Sequence, residues 1–247
     1  MNDSKVTVDS KVKTGFAEVG HTHADVSGGV LRASVFGGMD GLVTNIALVA
    51  GVGAAGASPR FIVLAGLAGL VAGAFSMAMG EYTSVKTQNE QLDLEWVKER
   101  EEINRHPTGE QRELAHMFTS MGMTKATAAA AAEDVHRDPE HAAVVHVTQE
   151  LGLDPREKPS PRMAAVSSFL TFSAGAVIPL IPFLLGFGSL LAGLAVGGVG
   201  LLIAGALASL TTVTPWWLSA GRQLVFGAIA AGATYLVGLV LGIGFVG

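Results

Sequence analysis

Asp40 lies where a carboxylate is costly. From Ala33 to Gly80 the only charged side chains are Asp40 and Arg60, and Asp40 falls near the start of an apolar run, in Gly37-Gly38-Met39-Asp40-Gly41-Leu42-Val43-Thr44. An ionised carboxylate at the centre of a bilayer costs about 2.5–3.5 kcal/mol even on lenient insertion scales, so such a residue usually has a task. It can bind a proton or a metal ion but not both fully, and that competition couples the movement of one to the movement of the other. Thr44, one turn on, offers a hydroxyl. In the second apolar run Met77 offers a polarizable sulfur, although methionine in such a run is more often packing. Glu81 follows one turn later, at the mouth of the run. The plainer account of Asp40 is a polar group satisfied inside a helix bundle.

A second set of carboxylates lies between Lys86 and Lys158, where fifteen Asp and Glu face nine Lys and Arg, a balance of −6 against −5 for the whole chain. Val85, Leu92, Trp96 and Ile103 mark an apolar helical stripe. Position 99 falls on that stripe yet holds Glu99, with Glu102 beside it at i+3. Glu110 and Glu113 sit one turn before Leu114 and Met117, on a face continued by Phe118 and Met121. His146 and Glu150 are spaced i, i+4. Carboxylate oxygen with imidazole nitrogen suits Fe²⁺, Mn²⁺ or Zn²⁺, whereas Mg²⁺ would need more retained water. Taken singly, each pair also fits a solvated face, and first-turn glutamates complement a helix dipole.

The elements that must position these groups follow from hydropathy. The chain is 49% hydrophobic, with 32 glycines and 15% charged residues, and from Met163 to Gly247 the only charge is Arg222. The expected fold is all-α: an integral membrane protein with five transmembrane helices, near 34–56, 61–84, 164–187, 189–213 and 223–246, and a cytosolic helical insert between spans two and three. The divisions are a flexible tail (1–30), spans one and two (31–85), an acidic insert (86–162) and spans three to five (163–247). The tail has no apolar core and does not read as a signal peptide; its His21 and His23 read as incidental.

With five spans, the tail, the insert and a turn containing Arg222 share one side. That side holds every Lys and Arg except Arg60, which makes it cytosolic and the C-terminus extracytosolic. The absence of cysteine excludes disulfides and thiolate metal sites. The acidic balance speaks against nucleic acid and for cations.

Within the insert, no Gly or Pro interrupts Glu81 to His106, so span two continues as one long helix ending at His106-Pro107. Thr108-Gly109-Glu110-Gln111 reads as a capping box opening the next helix. An alanine-rich helix follows at about 124–136. A fourth starts at Asp138-Pro139 and stops at Gly152. Pro179 and Pro182 should kink span three, and Trp216 and Trp217 read as interfacial anchors.

Three segments in order, Gly38–Thr44, Ser76-Met77-Ala78-Met79-Gly80-Glu81-Tyr82 with Lys86-Thr87-Gln88 after it, and Gly175-Ala176-Val177-Ile178-Pro179-Leu180-Ile181-Pro182, resemble the vacuolar iron transporter family, in its bacterial form with the metal-binding insert. The resemblance covers the chain from about Leu31. It implies a homodimer with an ion path at the subunit interface, exporting cytosolic Fe²⁺, and sometimes Mn²⁺, in exchange for protons. It places the family's intramembrane aspartate on Asp40 and its methionine on Met77. The family's metal-binding glutamates fall on Glu99, Glu102, Glu110, Glu113 and Glu150. The metal is substrate, with no permanently bound cofactor implied.

Two departures stand out. A methionine pair before the last glutamate is replaced by His146 and Val147. An acidic residue that some members carry earlier in span two appears as Gly69, while Glu81 stands where others have glycine. With no targeting segment visible, a bacterial plasma membrane is the default location.

Two other functions fit parts of the sequence. A di-iron carboxylate ferroxidase would use Glu113-Leu-Ala-His116 and Glu133-Asp-Val-His136, but it leaves Asp40 unexplained. A membrane-anchored metal-binding scaffold or sensor would need one span rather than five.

Overall fold

The structure is a computed structural model describing residues 30–245; the tail with His21 and His23 lies outside the described residues. All regular structure among those residues is helical. In chain order the α-helices are α1 (Val30–Ala54), α2 (Pro59–Arg105), α3 (Pro107–Ser120), α4 (Lys125–Val135), α5 (Pro139–Leu151), α6 (Pro161–Val177), α7 (Ile181–Leu184), α8 (Leu190–Ala208) and α9 (Trp216–Phe245). Five segments are long and apolar enough to cross a membrane: α1, α2, α6 with α7, α8 and α9. The chain is thus a multi-pass, all-helical membrane protein.

Several boundaries differ from those expected. The last span begins at Trp216, so Arg222 lies inside α9 rather than in a turn. Span three runs Pro161–Leu184 and is broken at a 3₁₀ turn, Ile178–Leu180, where Pro179 and Pro182 remove ladder donors. The fourth span is shorter, its α-helix ending at Ala208. The expected capping box at Thr108 does not form: α3 starts one residue earlier, at Pro107, whose fixed φ suits a first helical position, and His106 provides no side-chain cap. Asp138 and Gly152 do bound α5, the first accepting from the Glu140 N–H and the second in the left-handed region at φ 69°.

Close backbone approach organises the membrane part. α1 packs most extensively against α6. A Cβ at Gly41 would collide with the Phe172 carbonyl, and one at Gly175 with the Gly38 carbonyl. These glycines therefore serve contact between two helices of the same chain. The Ser34 and Ser167 hydroxyls pair across the same seam.

The insert has its own small core. Leu114 and Phe118 of α3 pack on Ala128 and Ala132 of α4. Ile103 of α2 packs on Ala142 and Ala143 of α5, with Trp96 and Val135 against them. Val85, Leu92 and Ile103 are buried, as the stripe requires, whereas Met121 ends α3 as its cap and is 55% exposed. Ion pairs Arg100–Glu140 and Lys158–Asp93 and the Asn89 Nδ2–Pro159 carbonyl bond tie α5 and the return segment to α2.

Candidate metal centre and membrane path

Glu99 comes from α2, Glu110 from the first turn of α3, and His146 from the middle of α5. Each offers one ligand atom, and the three atoms lie within 4.8 Å of one another. His146 is fully buried, while the Glu99 and Glu110 side chains are 13% and 15% exposed. Nδ1 of His146 is 3.0 Å from Glu99, 3.8 Å from Glu110 and 3.9 Å from Glu150. Neither ring nitrogen of His146 nor Oε1 of Glu99 has a hydrogen bond of good geometry. Buried polar atoms left this way are costly unless something fills the space between them. Two carboxylates and an imidazole converging from three helices form a compact oxygen–nitrogen donor set for a divalent first-row ion.

The other expected ligands lie around this centre. Glu150 stands at its rim, and Glu113 is exposed but adds its charge to Glu110 and Glu150. Glu102 is 46% exposed and pairs with Arg105 at 3.6 Å and His106 at 3.9 Å.

Without a metal, the surroundings of the site favour the protonated forms of its groups. Burial, then the charge of Glu99, raises the Glu110 and Glu150 carboxyls above their ordinary pKa. Burial opposes protonation of His146, but Glu99, Glu110 and Glu150 outweigh it and raise the imidazole above its usual value. A metal ion must displace those protons, so affinity should rise with pH through and above the ordinary imidazole range. It should begin to fall, on acidification, above the ordinary carboxylate range. Calorimetry in buffers of different ionisation enthalpy should show release of about one proton per ion near neutrality. An affinity that is flat between about pH 5.5 and 7.5 would contradict this arrangement.

In the membrane part, Asp40 is exposed on the outside of the single-chain bundle, with the Thr44 hydroxyl 3.5 Å from its Oδ1. Met77 is half-buried beside the Ala74–Phe172–Ala176 cluster. Glu81 pairs with Arg32 at 3.1 Å, joining the start of α1 to α2.

Residues 31–239 match the VIT family. The chain belongs to that family. Its relatives include vacuolar iron transporter 1 of Oryza sativa subsp. japonica, 31% identical over 87% of this chain and 88% of its own. The protein of the same name from Eucalyptus grandis is 30% identical over 85% of each chain. The vacuolar iron transporter of Acanthamoeba castellanii is 35% identical over 66% of this chain and 59% of its own.

Two residues of this VIT-family chain stand out that sequence reasoning passed over. Asn45 is fully buried and donates from Nδ2 to the Ala176 carbonyl at 2.6 Å and the Gly66 carbonyl at 3.2 Å. It thereby joins α1 and α2 to α6 just before the proline break, while its Oδ1 has no partner. A Cβ at Gly69 would lie 3.5 Å from that Oδ1, so the expected family variation at position 69 borders this amide. The signal was an amide in an otherwise apolar run. His136, read earlier only as part of a Glu-x-x-His run, has its ring edge-to-face with that of His146, centroids 5.2 Å apart. Glu113, His116 and Glu133 are exposed, so the two Glu-x-x-His runs do not assemble one centre.

Proposed function

We propose that this protein exports divalent transition metal from the cytosol in exchange for protons, with Fe²⁺ as the principal substrate and Mn²⁺ as a second. The observation that carries this reading is the exposed Asp40 on a membrane-crossing helix. A carboxylate facing lipid is untenable at that price in free energy, so its face must be covered by protein or line water. A second copy of the chain covers it, which makes the transporter a homodimer with the ion path along the seam. Asp40 exchanges proton for metal there, with Thr44 and Met77 as further contacts. Glu81, held by Arg32, stands at the entrance.

The insert captures the ion first. Glu99, Glu110 and His146 form the centre, with Glu150, Glu113 and Glu102 supplying negative charge around it; Zn²⁺ also suits this donor set. The insert and N-terminus face the cytosol and the C-terminus faces away, as the Lys and Arg distribution requires. Export from the cytosol has the same sense across a plasma membrane as into a vacuole, the compartment in the relatives' names; the bacterial plasma membrane remains our assignment. Family membership and the scattered Glu-x-x-His runs set the ferroxidase reading aside.

The test is metal flux in proteoliposomes under an imposed proton gradient, with Fe²⁺ and Mn²⁺ measured separately. Uptake should follow the gradient and collapse with a protonophore. Gradient-independent flux, or none from protein that binds metal, would refute the exchange.

A further inference from the structure

His136 bears on the metal centre without belonging to its ligand set. Its Nδ1 lies 2.8 Å from the Ala132 carbonyl. A carbonyl only accepts, so Nδ1 carries the proton and Nε2 of the neutral ring is left as an acceptor. That Nε2 is buried and unpartnered, as is Nε2 of His146. The ring centroids are 5.2 Å apart with planes at 84°. The 5.2 Å centroid separation is that of two imidazoles joined by one N–H···N bond of about 2.9 Å, and one ring must turn from the edge-to-face arrangement to make it.

We propose that His136 is the positioning residue of His146: its Nε2 accepts a hydrogen bond from the His146 Nε2–H and holds the His146 Nδ1 toward Glu99 and Glu110. Both orphaned nitrogens are satisfied by that single bond. A histidine that ligates through one nitrogen is oriented by the partner of the other, and loss of that partner typically costs 10–100-fold in metal affinity. Here Nδ1 is the atom 3.0 Å from Glu99, and the second nitrogen is buried without a partner in a ring that contacts His136. His136 thus determines how fully this chain uses the nitrogen donor standing in place of the family's methionine pair. The other unpartnered buried donor in this core is the Trp96 indole N–H. The ring contact made by His136 is with His146, which selects His146 as its donor.

The inference rests on the insert being the metal-capture site, and the test separates the two. Full-length protein in detergent is titrated with Co²⁺ alone and with Mn²⁺ alone, following binding by equilibrium dialysis and the visible absorption of bound Co²⁺. Wild type is compared with His136→Leu, His136→Gln, Trp96→Phe and Glu110→Ala. Co²⁺ depends on nitrogen donors more than Mn²⁺ does.

His136→Leu should lose about 10–100-fold in Co²⁺ affinity with an altered Co²⁺ spectrum, and less than about threefold in Mn²⁺ affinity. His136→Gln, whose amide oxygen can accept the same bond, should stay within about threefold of wild type for both ions. Trp96→Phe should keep the wild-type preference. Equal losses for both ions in both His136 variants would reduce His136 to packing and overturn the proposal. Unchanged binding in His136→Leu, or a collapse of preference in Trp96→Phe, would also overturn it. If wild type binds no better than Glu110→Ala, the capture site itself is refuted, and the proposal with it.

Discussion

Asp40→Asn should abolish gradient-driven metal flux. Asparagine keeps the size and one oxygen of the side chain but can neither hold a proton nor carry a charge, so the proposed exchange loses the group over which proton and metal would compete. Flux in proteoliposomes should fall at least about tenfold, toward protein-free background, for both Fe²⁺ and Mn²⁺. Metal binding by the insert should remain within about twofold, because Asp40 lies on α1, far along the chain from Glu99, Glu110 and His146. A mutant retaining half of wild-type flux would make Asp40 a structural carboxylate. Asp40→Glu, which keeps the charge but moves it by one methylene, should retain measurable flux.

The second large effect is structural. Gly41→Val places a branched side chain against the Phe172 carbonyl, where even a Cβ does not fit. Overpacking a tight core costs typically 1–3 kcal/mol and occasionally more, and the upper end applies where backbone rather than a flexible side chain must yield. Fluorescence-detected size exclusion after a heating series should show a melting midpoint lowered by several degrees or a loss of folded protein. Gly232→Ala, with nothing within 4 Å of the new Cβ, is the matched control and should leave the midpoint unchanged or higher. Equal behaviour of the two variants would mean that α1 and α6 do not pack as the structure shows.

These effects differ in how much of their basis the sequence exposed. Glu99 was legible because it interrupts an apolar stripe, and stripes are local. The bounds of α5 were legible because Asp138, Pro139 and Gly152 act on their own backbone. The exposure of Asp40 was not. In a bilayer both faces of a helix are apolar, so periodicity carries no inside or outside. His136 was hidden for another reason: its ring meets that of His146 only after α4 folds back on α5, and spacing along one helix does not encode that. Asn45 was visible as a type, but its acceptors at Gly66 and Ala176 are the products of helix packing and a proline break.

The 47-residue helix α2 carries both Met77 and Glu99. The two lie roughly 22 residues apart, or about 33 Å along an unbroken axis. No side chain spans that distance, so an ion held at the insert cannot be handed directly to the membrane. On the proposed route it would dissociate into water and be recaptured. The insert would then act as a reservoir whose residence time enters the turnover rate. Tighter holding fills the reservoir at lower metal but empties it more slowly, so delivery is fastest at an intermediate affinity, and a variant that binds metal better than wild type should transport it more slowly at saturation.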